Sequence, residues 1–330
     1  MRMRIASALL FLSVLSSPLF GQRLRPEMVV STDWLARHLD YAVVLDVGDA
    51  RSFDLGHIQG SRLLDFERLV MTRHRVPNEL PDVEVLEHIF TSVGAGDRGR
   101  IILYSRNPLQ AARAWFTLDY LGHGSRTSIL DGGFAKWMNE GRPLEQGECN
   151  VEPLPFHARI RSSAVANLKV MRDIVKWRNV LGSSYTLIDA RPDDQFHGRD
   201  TSQDERHGHI PGAVSVPWTE NVTVGDISRF LPEAELRDTY RLAGVTPKSA
   251  NIVYCRTGIQ ASVTYFVLKY LGFDATLYDG SFSEWSASPD TLVVEQTQES
   301  RPGIASSSPS DEEHLASLRA GTATAVPSLR

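Results

Sequence analysis

Short apolar runs alternate along the chain with longer segments in which apolar residues recur at helical spacing. Segments 111–121 and 261–271 are of the second kind, and each is followed by a glycine, Gly122 or Gly272, as helices commonly are. Strands that alternate with helices predict an α/β fold in which a mainly parallel sheet is flanked by helices. The runs that predict strands are Val43–Asp46, Arg62–Leu64, Ile101–Tyr104 and Ser128–Leu130 in the first half, and Thr186–Asp189, Ala213–Val216, Asn251–Tyr254 and Thr276–Tyr278 in the second.

The two halves of the chain repeat one another. Residues 101–122 align without a gap on residues 251–272, 150 positions later, and ten of the 22 pairs are identical. Two shorter blocks also recur: DGGFAKW at 131–137 returns as DGSFSEW at 279–285, and the segment 57–60 returns at 209–212. Three blocks in one order at a nearly constant offset predict a duplication, so that each half encodes one domain of the same fold.

The duplication and the composition of the two ends divide the chain into five parts. Arg2 and Arg4, an apolar stretch over 5–15 and Gly21 have the three-part plan of a secretory signal peptide, whose core is too short to span a membrane. From about residue 296 the chain turns to serine, proline and acidic residues that cannot build a core. We predict a signal peptide at 1–21, a first domain at 28–143, a linker at 144–160, a second domain at 161–295 and a disordered tail at 296–330.

Composition and charge narrow the classes of partner and compartment. The chain has 42% hydrophobic residues, 23% charged residues and a net charge of −5, and its basic residues form no run, which argues against nucleic acid as a partner. The signal peptide predicts export to the periplasm or the medium, with no membrane span after cleavage. An oxidising compartment favours paired cysteines, and the chain has only Cys149 and Cys255. The sequence leaves a disulfide between them as an alternative, but Cys149 lies in the predicted linker, so we favour a free Cys255.

The setting of Cys255 indicates chemistry rather than packing. It follows a predicted strand that ends at Tyr254 and precedes a helix that begins near Ala261. Open parallel sheets bind ligands at this edge, where loop N–H groups and the positive end of the helix converge. That field, with Arg256 adjacent, favours the nucleophilic thiolate. A small buried hydrophobe is the alternative role, but the equivalent residue of the first half is Ser105, so we predict that Cys255 is reactive.

These motifs together resemble the two-domain rhodanese family of sulfurtransferases. Tandem domains and the patterns GHI-x-G, YC-R-x-G-x-x-A and DG-x-F-x-x-W carry the resemblance over residues 28 to 295. It implies two rhodanese-like domains, the first inactive and the second catalytic, which agrees with Ser105 opposite Cys255. It also implies that Cys255 takes sulfane sulfur from thiosulfate or 3-mercaptopyruvate as a persulfide. The acceptor is then cyanide or a thiol, that of a thioredoxin-like protein included, and no metal or organic cofactor is implied.

The resemblance further implies which residues bind the small anionic donor. Gln195 stands where members of the family typically carry a second donor-binding Arg, whereas Arg191 matches a first Arg that stabilises the fold. Arg199 or Arg206 could supply the missing cation from the same loop. Arg256 followed by Thr257 leaves the choice between the two donors open. The predicted donor-binding residues are Arg256, Thr257, Gly258, Ile259, Gln260, Ala261, Gln195 and Arg199.

Two other functions compete with sulfur transfer as interpretations of the cysteine loop. A cysteine phosphatase or arsenate reductase needs an arginine six positions after its cysteine, and Ala261 stands there. A non-catalytic sulfur carrier or thiol-sensing module for another exported protein is favoured by Gln195 and opposed by the intact cysteine loop. A metal site at His207 and His209 is disfavoured, because His209 recurs as His57 in the half that lacks the cysteine. The sequence does not indicate the physiological acceptor or the oligomeric state.

Overall fold

The structure is a computed structural model that describes residues 22–295, except 148, 182–183, 203 and 205. The predicted signal peptide and the predicted tail lie outside the described residues, and the domain boundaries stay predictions. No helix in this described part of the chain is long and apolar enough to cross a lipid bilayer.

The first half builds a parallel sheet of five strands in the order β1-β8-β7-β2-β4, with helices on both faces and two small antiparallel pairs, β3 with β9 and β5 with β6. The strands are β1 Val29–Val30, β2 Ala42–Gly48, β3 His57–Ile58, β4 Arg62–Asp65, β5 Met71–Arg73, β6 Val76–Glu79, β7 Arg100–Tyr104, β8 Thr127–Leu130 and β9 Leu144–Glu145. The helices are α1 Thr32–Ala36, α2 Ala50–Leu55, α3 Val83–Ser92, α4 Pro108–Tyr120 and α5 Gly133–Asn139.

The second half builds the same sheet, in the order β10-β14-β13-β11-β12. Every pairing within both sheets is parallel, and the strand orders match position by position. The predicted α/β class with two tandem domains of one fold is therefore confirmed. The strands are β10 Val165–Ala166, β11 Tyr185–Asp189, β12 Ala213–Ser215, β13 Ala250–Tyr254 and β14 Ala275–Tyr278. The helices are α6 Leu168–Leu181, α7 Asp193–Phe196, α8 Glu233–Leu242, α9 Ile259–Tyr270 and α10 Ser281–Ala287.

The hairpin of β5 and β6 was not predicted from the sequence. Its turn residues His74 and Arg75 have φ of 50° and 69°, and Asn78 has φ of 65°. Left-handed backbone at residues other than glycine is uncommon, and Pro77 lacks a backbone donor for a ladder, so the segment carries no strand pattern. The hairpin matters because Asn78 and the residues after it reach the second half.

Helices α4 and α9 pack against each other and merge the cores of the two halves. Trp115 of α4 meets Phe266 of α9 edge to face at 5.0 Å between ring centroids, and Phe116 meets Tyr265 at 5.1 Å. Both helices are buried around most of their circumference, which explains why their apolar residues are not confined to one stripe. One hydrophobic cluster draws residues from both halves, so neither half has an independent core on this side.

A buried ion pair also joins the halves. Arg113 of α4 is fully buried and donates to Asp279 in the second half at 2.7 Å and to the carbonyl of Asn78 at 2.6 Å. The backbone N–H of Leu80 donates to the other oxygen of Asp279 at 2.7 Å. The equivalent residue of the first half, Asp131, accepts bonds from the Arg229 side chain and the backbone N–H of Phe230 in the second half.

We predict that Arg113→Met lowers the free energy of unfolding by roughly 3–5 kcal/mol, because it leaves the Asp279 carboxylate buried without its cation. Urea unfolding followed by circular dichroism measures the change. Arg241→Met is the matched control: Arg241 is exposed and pairs with Asp238 within one helix, so its removal costs at most about 0.5 kcal/mol. Equal losses in the two variants would contradict the assignment.

Candidate active site

Cys255 lies directly after β13, at the carboxyl end of the central strands of the second sheet. The chain then turns through residues 256–258 into α9, and Gly258 adopts φ of 84° at the start of the helix. A side chain at Gly258 would come within 3.1 Å of the Arg113 guanidinium and of the Asp279 carbonyl. Only glycine therefore satisfies both the left-handed backbone and the close approach of the first half.

The loop surrounds the sulfur with hydrogen-bond donors. Cys255 is 1% exposed, and the backbone N–H groups of Thr257, Gly258 and Ala261 point toward its thiol. Burial raises the pKa of the Cys255 thiol; the three N–H groups lower it but do not compensate. The loop N–H groups thus act in the predicted direction and favour the thiolate, but burial outweighs them in the free protein. Cys149 is also a free thiol, so the two cysteines form no disulfide.

A buried guanidinium–carboxylate pair supports the strand end beneath the cysteine loop. Asp189, the last residue of β11, is fully buried and accepts two bonds from Arg191 Nε at 3.0 Å and one from Nη2 at 2.6 Å. The same guanidinium donates to the carbonyl of Gly208 at 2.7 Å and stacks on Phe282, with 3.8 Å from its carbon to the ring centroid. The prediction that Arg191 stabilises the fold through a nearby carboxylate is confirmed.

In the first half an arginine from a different sequence position fills this guanidinium site. Asp46 pairs with Tyr104 in the sheet as Asp189 pairs with Tyr254, but Gly48 replaces Arg191. The cation comes instead from Arg106, the residue after Ser105: it donates to Asp46 at 3.1 Å and to the Gly56 carbonyl. It also stacks on Phe134 at 3.9 Å. These three partners are the repeat equivalents of Asp189, Gly208 and Phe282.

Because the two halves fill this site with different arginines, Arg256 need not have the structural role of Arg106, with which it aligns in the repeat. Because Arg191 occupies the strand-end site of the second half, Arg256 is not needed there. Its side chain is 36% exposed, and its Nε lies 3.5 Å from Asp204 in the loop that follows α7. The occurrence of an arginine after Ser105 therefore does not argue that Arg256 is a structural residue.

The two arginines that the sequence offered as replacement cations, Arg199 and Arg206, both interact with other parts of the protein. Arg199 is half exposed and pairs with Asp194 at 2.7 Å and Asp193 at 2.9 Å. Arg206 donates to the backbone carbonyls at the end of α10 and to Thr291, and so fixes the loop to the fold. Gln195 is half-buried and donates weakly to Asp200 at 3.3 Å. The structure thus brings carboxylates to the place where the sequence suggested a replacement cation.

The hairpin of the first half reaches the cysteine loop. Asn78 donates from its side chain to the hydroxyl oxygen of Thr257 at 2.9 Å, so the hydroxyl proton of Thr257 is available for donation. Beside this contact, Glu79 faces a cavity of about 290 Å³ lined also by Arg73, Asp279 and Glu284. The sequence analysis missed Asn78 and Glu79, because the β5–β6 hairpin has no repeat in the second half. The recurrence of Asp131 as Asp279 was the one sequence signal for a residue of this cavity.

The remaining predicted residues have simple positions. Ile259 and Gln260 are the first, half-buried residues of α9, and Ala261 is buried beside the thiol. His209 bonds to the Phe196 carbonyl and stacks on that ring, as His57 does with Phe53, which confirms that this recurring histidine belongs to the fold. Among the described residues no group of three or more His, Cys, Asp or Glu is placed to hold a metal ion.

Comparison with known proteins agrees with this geometry. The model of the rhodanese-like domain matches the chain twice, over residues 31–140 and 171–288. The chain belongs to the rhodanese family. It is 32% identical over 284 residues to a 3-mercaptopyruvate sulfurtransferase of Escherichia coli, covering 80% of this chain and 96% of the relative. The predicted family membership is confirmed, and Cys255 lies in the second rhodanese domain.

Other relatives carry different names. A protein of Thermus thermophilus named sulfur carrier protein TtuD is 32% identical over 275 residues, covering 79% of this chain and 94% of the relative. A putative thiosulfate sulfurtransferase of Saccharopolyspora erythraea is 32% identical over 276 residues, with 80% and 94% covered. The crystal structure of SseA from Escherichia coli superposes with a TM-score of 0.68 at 30% identity, over 77% of this chain and 98% of that one.

We predict strong coupling between Arg191 and Arg256 in stability. When Arg191→Ala vacates the strand-end site, Arg256 can move in to pair with Asp189, as Arg106 pairs with Asp46. Arg256→Ala should then cost about 1–3 kcal/mol in the Arg191→Ala background and about 0–0.5 kcal/mol in the wild-type protein. Denaturant unfolding of the four proteins of this double-mutant cycle measures the difference. Strictly additive costs would show that Arg256 cannot replace Arg191.

We also predict that Glu79 makes stability depend on pH. Burial, Asp279 and Glu284 raise the pKa of Glu79 to about 7, although Arg73 lies 3.4 Å away. The folded state therefore holds a proton that the unfolded state releases, and the free energy of unfolding falls as pH rises from about 4.5 to 7. Glu79→Gln should be about 1–3 kcal/mol more stable than wild type at pH 8 and nearly equal at pH 5.

Thermal unfolding at both pH values tests this prediction. Glu67→Gln serves as the control because Glu67 is an exposed residue of the same half. A Glu79→Gln variant whose stability follows that of wild type at both pH values would show that Glu79 is not the titrating group.

Proposed function

We propose that the protein is a sulfurtransferase that moves sulfane sulfur from thiosulfate or 3-mercaptopyruvate to cyanide or a thiol through a persulfide on Cys255. The observation that carries the proposal is the convergence of the Thr257, Gly258 and Ala261 N–H groups on the buried Cys255 sulfur. The named relatives include 3-mercaptopyruvate and thiosulfate sulfurtransferases, which supports sulfur transfer as the general activity.

In the first half-reaction the Cys255 thiolate attacks the outer sulfur of thiosulfate or the thiol sulfur of 3-mercaptopyruvate. The S–S bond of thiosulfate breaks and sulfite leaves with the electron pair; with 3-mercaptopyruvate the C–S bond breaks, and the enolate of pyruvate takes the pair and the thiol proton. Cys255 is left as a persulfide anion. Its charge is stabilised by the loop N–H groups, which are oriented before the reaction and need not reorganise.

In the second half-reaction the acceptor takes the outer sulfur. Cyanide or a thiolate attacks it, the S–S bond of the persulfide breaks, and the electron pair returns to Cys255 as a thiolate. The products are thiocyanate or the persulfide of the acceptor. A covalent intermediate of this kind separates donor and acceptor in time, so one small cleft serves both.

A non-catalytic sulfur carrier is the second candidate function. It is supported by the carboxylates that face Arg256, which oppose the binding of small anions, and by the relative named sulfur carrier protein TtuD. Saturable turnover with a small donor supports the enzyme, whereas stoichiometric loading without turnover supports the carrier.

We predict that Cys255 alone carries the transferred sulfur. Intact-mass spectrometry after incubation with excess donor should show one added sulfur atom on the wild-type protein and on Cys149→Ser, and none on Cys255→Ser. Ser105→Cys should still gain only one, because Pro108 stands where the catalytic loop has Gly258 and can neither donate an N–H nor adopt its left-handed backbone. Added sulfur on Cys149, or two atoms on Ser105→Cys, would refute the assignment.

A further inference from the structure

The loop that follows α7 offers negative charge to Arg256. Asp204 lies 3.5 Å from Arg256 Nε, and its side chain is only 14% exposed, so the pair is partly shielded from water. The hydroxyl of Ser283 lies 3.5 Å from the other carboxylate oxygen. Asp204 is therefore a fixed counter-charge at the mouth of the cysteine loop rather than a mobile surface acid.

Arg206 anchors the described part of this loop close to Asp204. Arg206, two residues later, donates to the backbone carbonyls of Trp285, Ser286, Ser288 and Thr291. A guanidinium with this many carbonyl partners is held in one position, because each bond to a charged donor is strong. Arg206 is thereby tied to the end of α10, the same helix that carries Ser283 beside Asp204.

A second carboxylate strengthens the effect. Asp200 accepts bonds from the backbone and hydroxyl of Ser202 and from Gln195. The Ser202 bonds are the main reason why the pKa of Asp200 lies below its usual value, and Gln195 and Arg256 add to the shift. Arg199, which could have balanced these acids, is paired with Asp193 and Asp194. The described ionisable residues of segment 199–207 are Arg199, Asp200, Asp204, Arg206 and His207.

We propose that Asp204 is a specificity-determining residue that makes the site favour monoanionic sulfur donors, such as 3-mercaptopyruvate, over dianionic ones, such as thiosulfate. The proposal rests on the proposed function. Arg256 attracts either donor, but the Asp204 carboxylate cancels much of that attraction. The Coulomb repulsion between Asp204 and a dianionic donor is twice that between Asp204 and a monoanionic donor at the same distance. A donor with one carboxylate loses less than a donor with two negative charges.

The main test compares both donors on wild type and Asp204→Asn, with cyanide as acceptor at low ionic strength. Removing one negative charge near the donor should raise kcat/KM about tenfold for thiosulfate and about threefold for 3-mercaptopyruvate. Both gains should shrink at high salt, where charge interactions are screened. Equal gains for the two donors, or no gain for thiosulfate, would overturn the proposal.

Asp194→Asn is the matched control. It removes the same charge from a neighbouring position that pairs with Arg199 instead of Arg256. We expect it to change the ratio of the two kcat/KM values by less than half of the change that Asp204→Asn causes. A control effect as large as that of Asp204→Asn would show that net charge alone, and not Asp204, sets the preference.

A second readout does not require sulfur transfer. In a Cys149→Ser background, Cys255 is alkylated with iodoacetate and with iodoacetamide, which have similar shapes and differ by one negative charge. Asp204→Asn should raise the ratio of the iodoacetate rate to the iodoacetamide rate about threefold at low salt. If the ratio rises but wild type turns over neither donor, the proposed function fails and the charge assignment stands. If wild type turns over but neither ratio moves, the role of Asp204 is refuted alone.

Discussion

A buried carboxylate at the end of a central strand is the constraint on which both halves depend. Asp46 and Asp189 hold the same position in their sheets and are 1% and 0% exposed. An unpaired charge at such a site would cost several kcal/mol, so each half must supply a cation. The second half supplies Arg191 from the same strand end, whereas the first supplies Arg106 from the loop after β7. The duplicated fold thus reaches one buried arrangement by two routes.

The source of this cation determines whether the arginine after Ser105 or Cys255 is bound to the strand end or lies at the mouth of the loop. In the first half Arg106 is drawn into the fold, and Pro108 stiffens the start of α4. In the second half Arg191 leaves Arg256 at the mouth, and Gly258 lets the loop close over the thiol. The first half also contributes to the site. Its hairpin brings the Asn78 side chain into a hydrogen bond with Thr257, and Arg113 of its helix α4 pairs with Asp279. The recurring Asp131 and Asp279 show that each half is fastened by contacts from the other.

Periodicity and the internal repeat predicted four of the five strands of each sheet, helices α4 and α9 and the position of Cys255, because these depend on local pattern and on one offset. The edge strands β1 and β10 were missed, since two residues are too few to form a pattern. The repeat aligns Arg256 with Arg106 but does not show that the two side chains have different partners, because a guanidinium can reach the strand end from either of two sequence positions. Hairpin contacts such as Asn78 with Thr257 join residues 179 apart and follow from the packing of the halves. The contact between Arg256 and Asp204 joins two different loops, so no local sequence pattern indicates it.

The burial of Cys255 sets opposing demands on the site. It raises the pKa of the thiol, which slows the attack on a donor by keeping the thiolate fraction small. The donors of the loop, however, surround the place where the added sulfur and its charge would lie. In the proposed mechanism the site is therefore better matched to the persulfide than to the free thiolate, and the same burial shields that persulfide from water. A site that favours its loaded state in this way holds sulfur until an acceptor reaches it. Enzyme and carrier then differ chiefly in how readily the small donor enters, which is the step that Asp204 controls in our proposal.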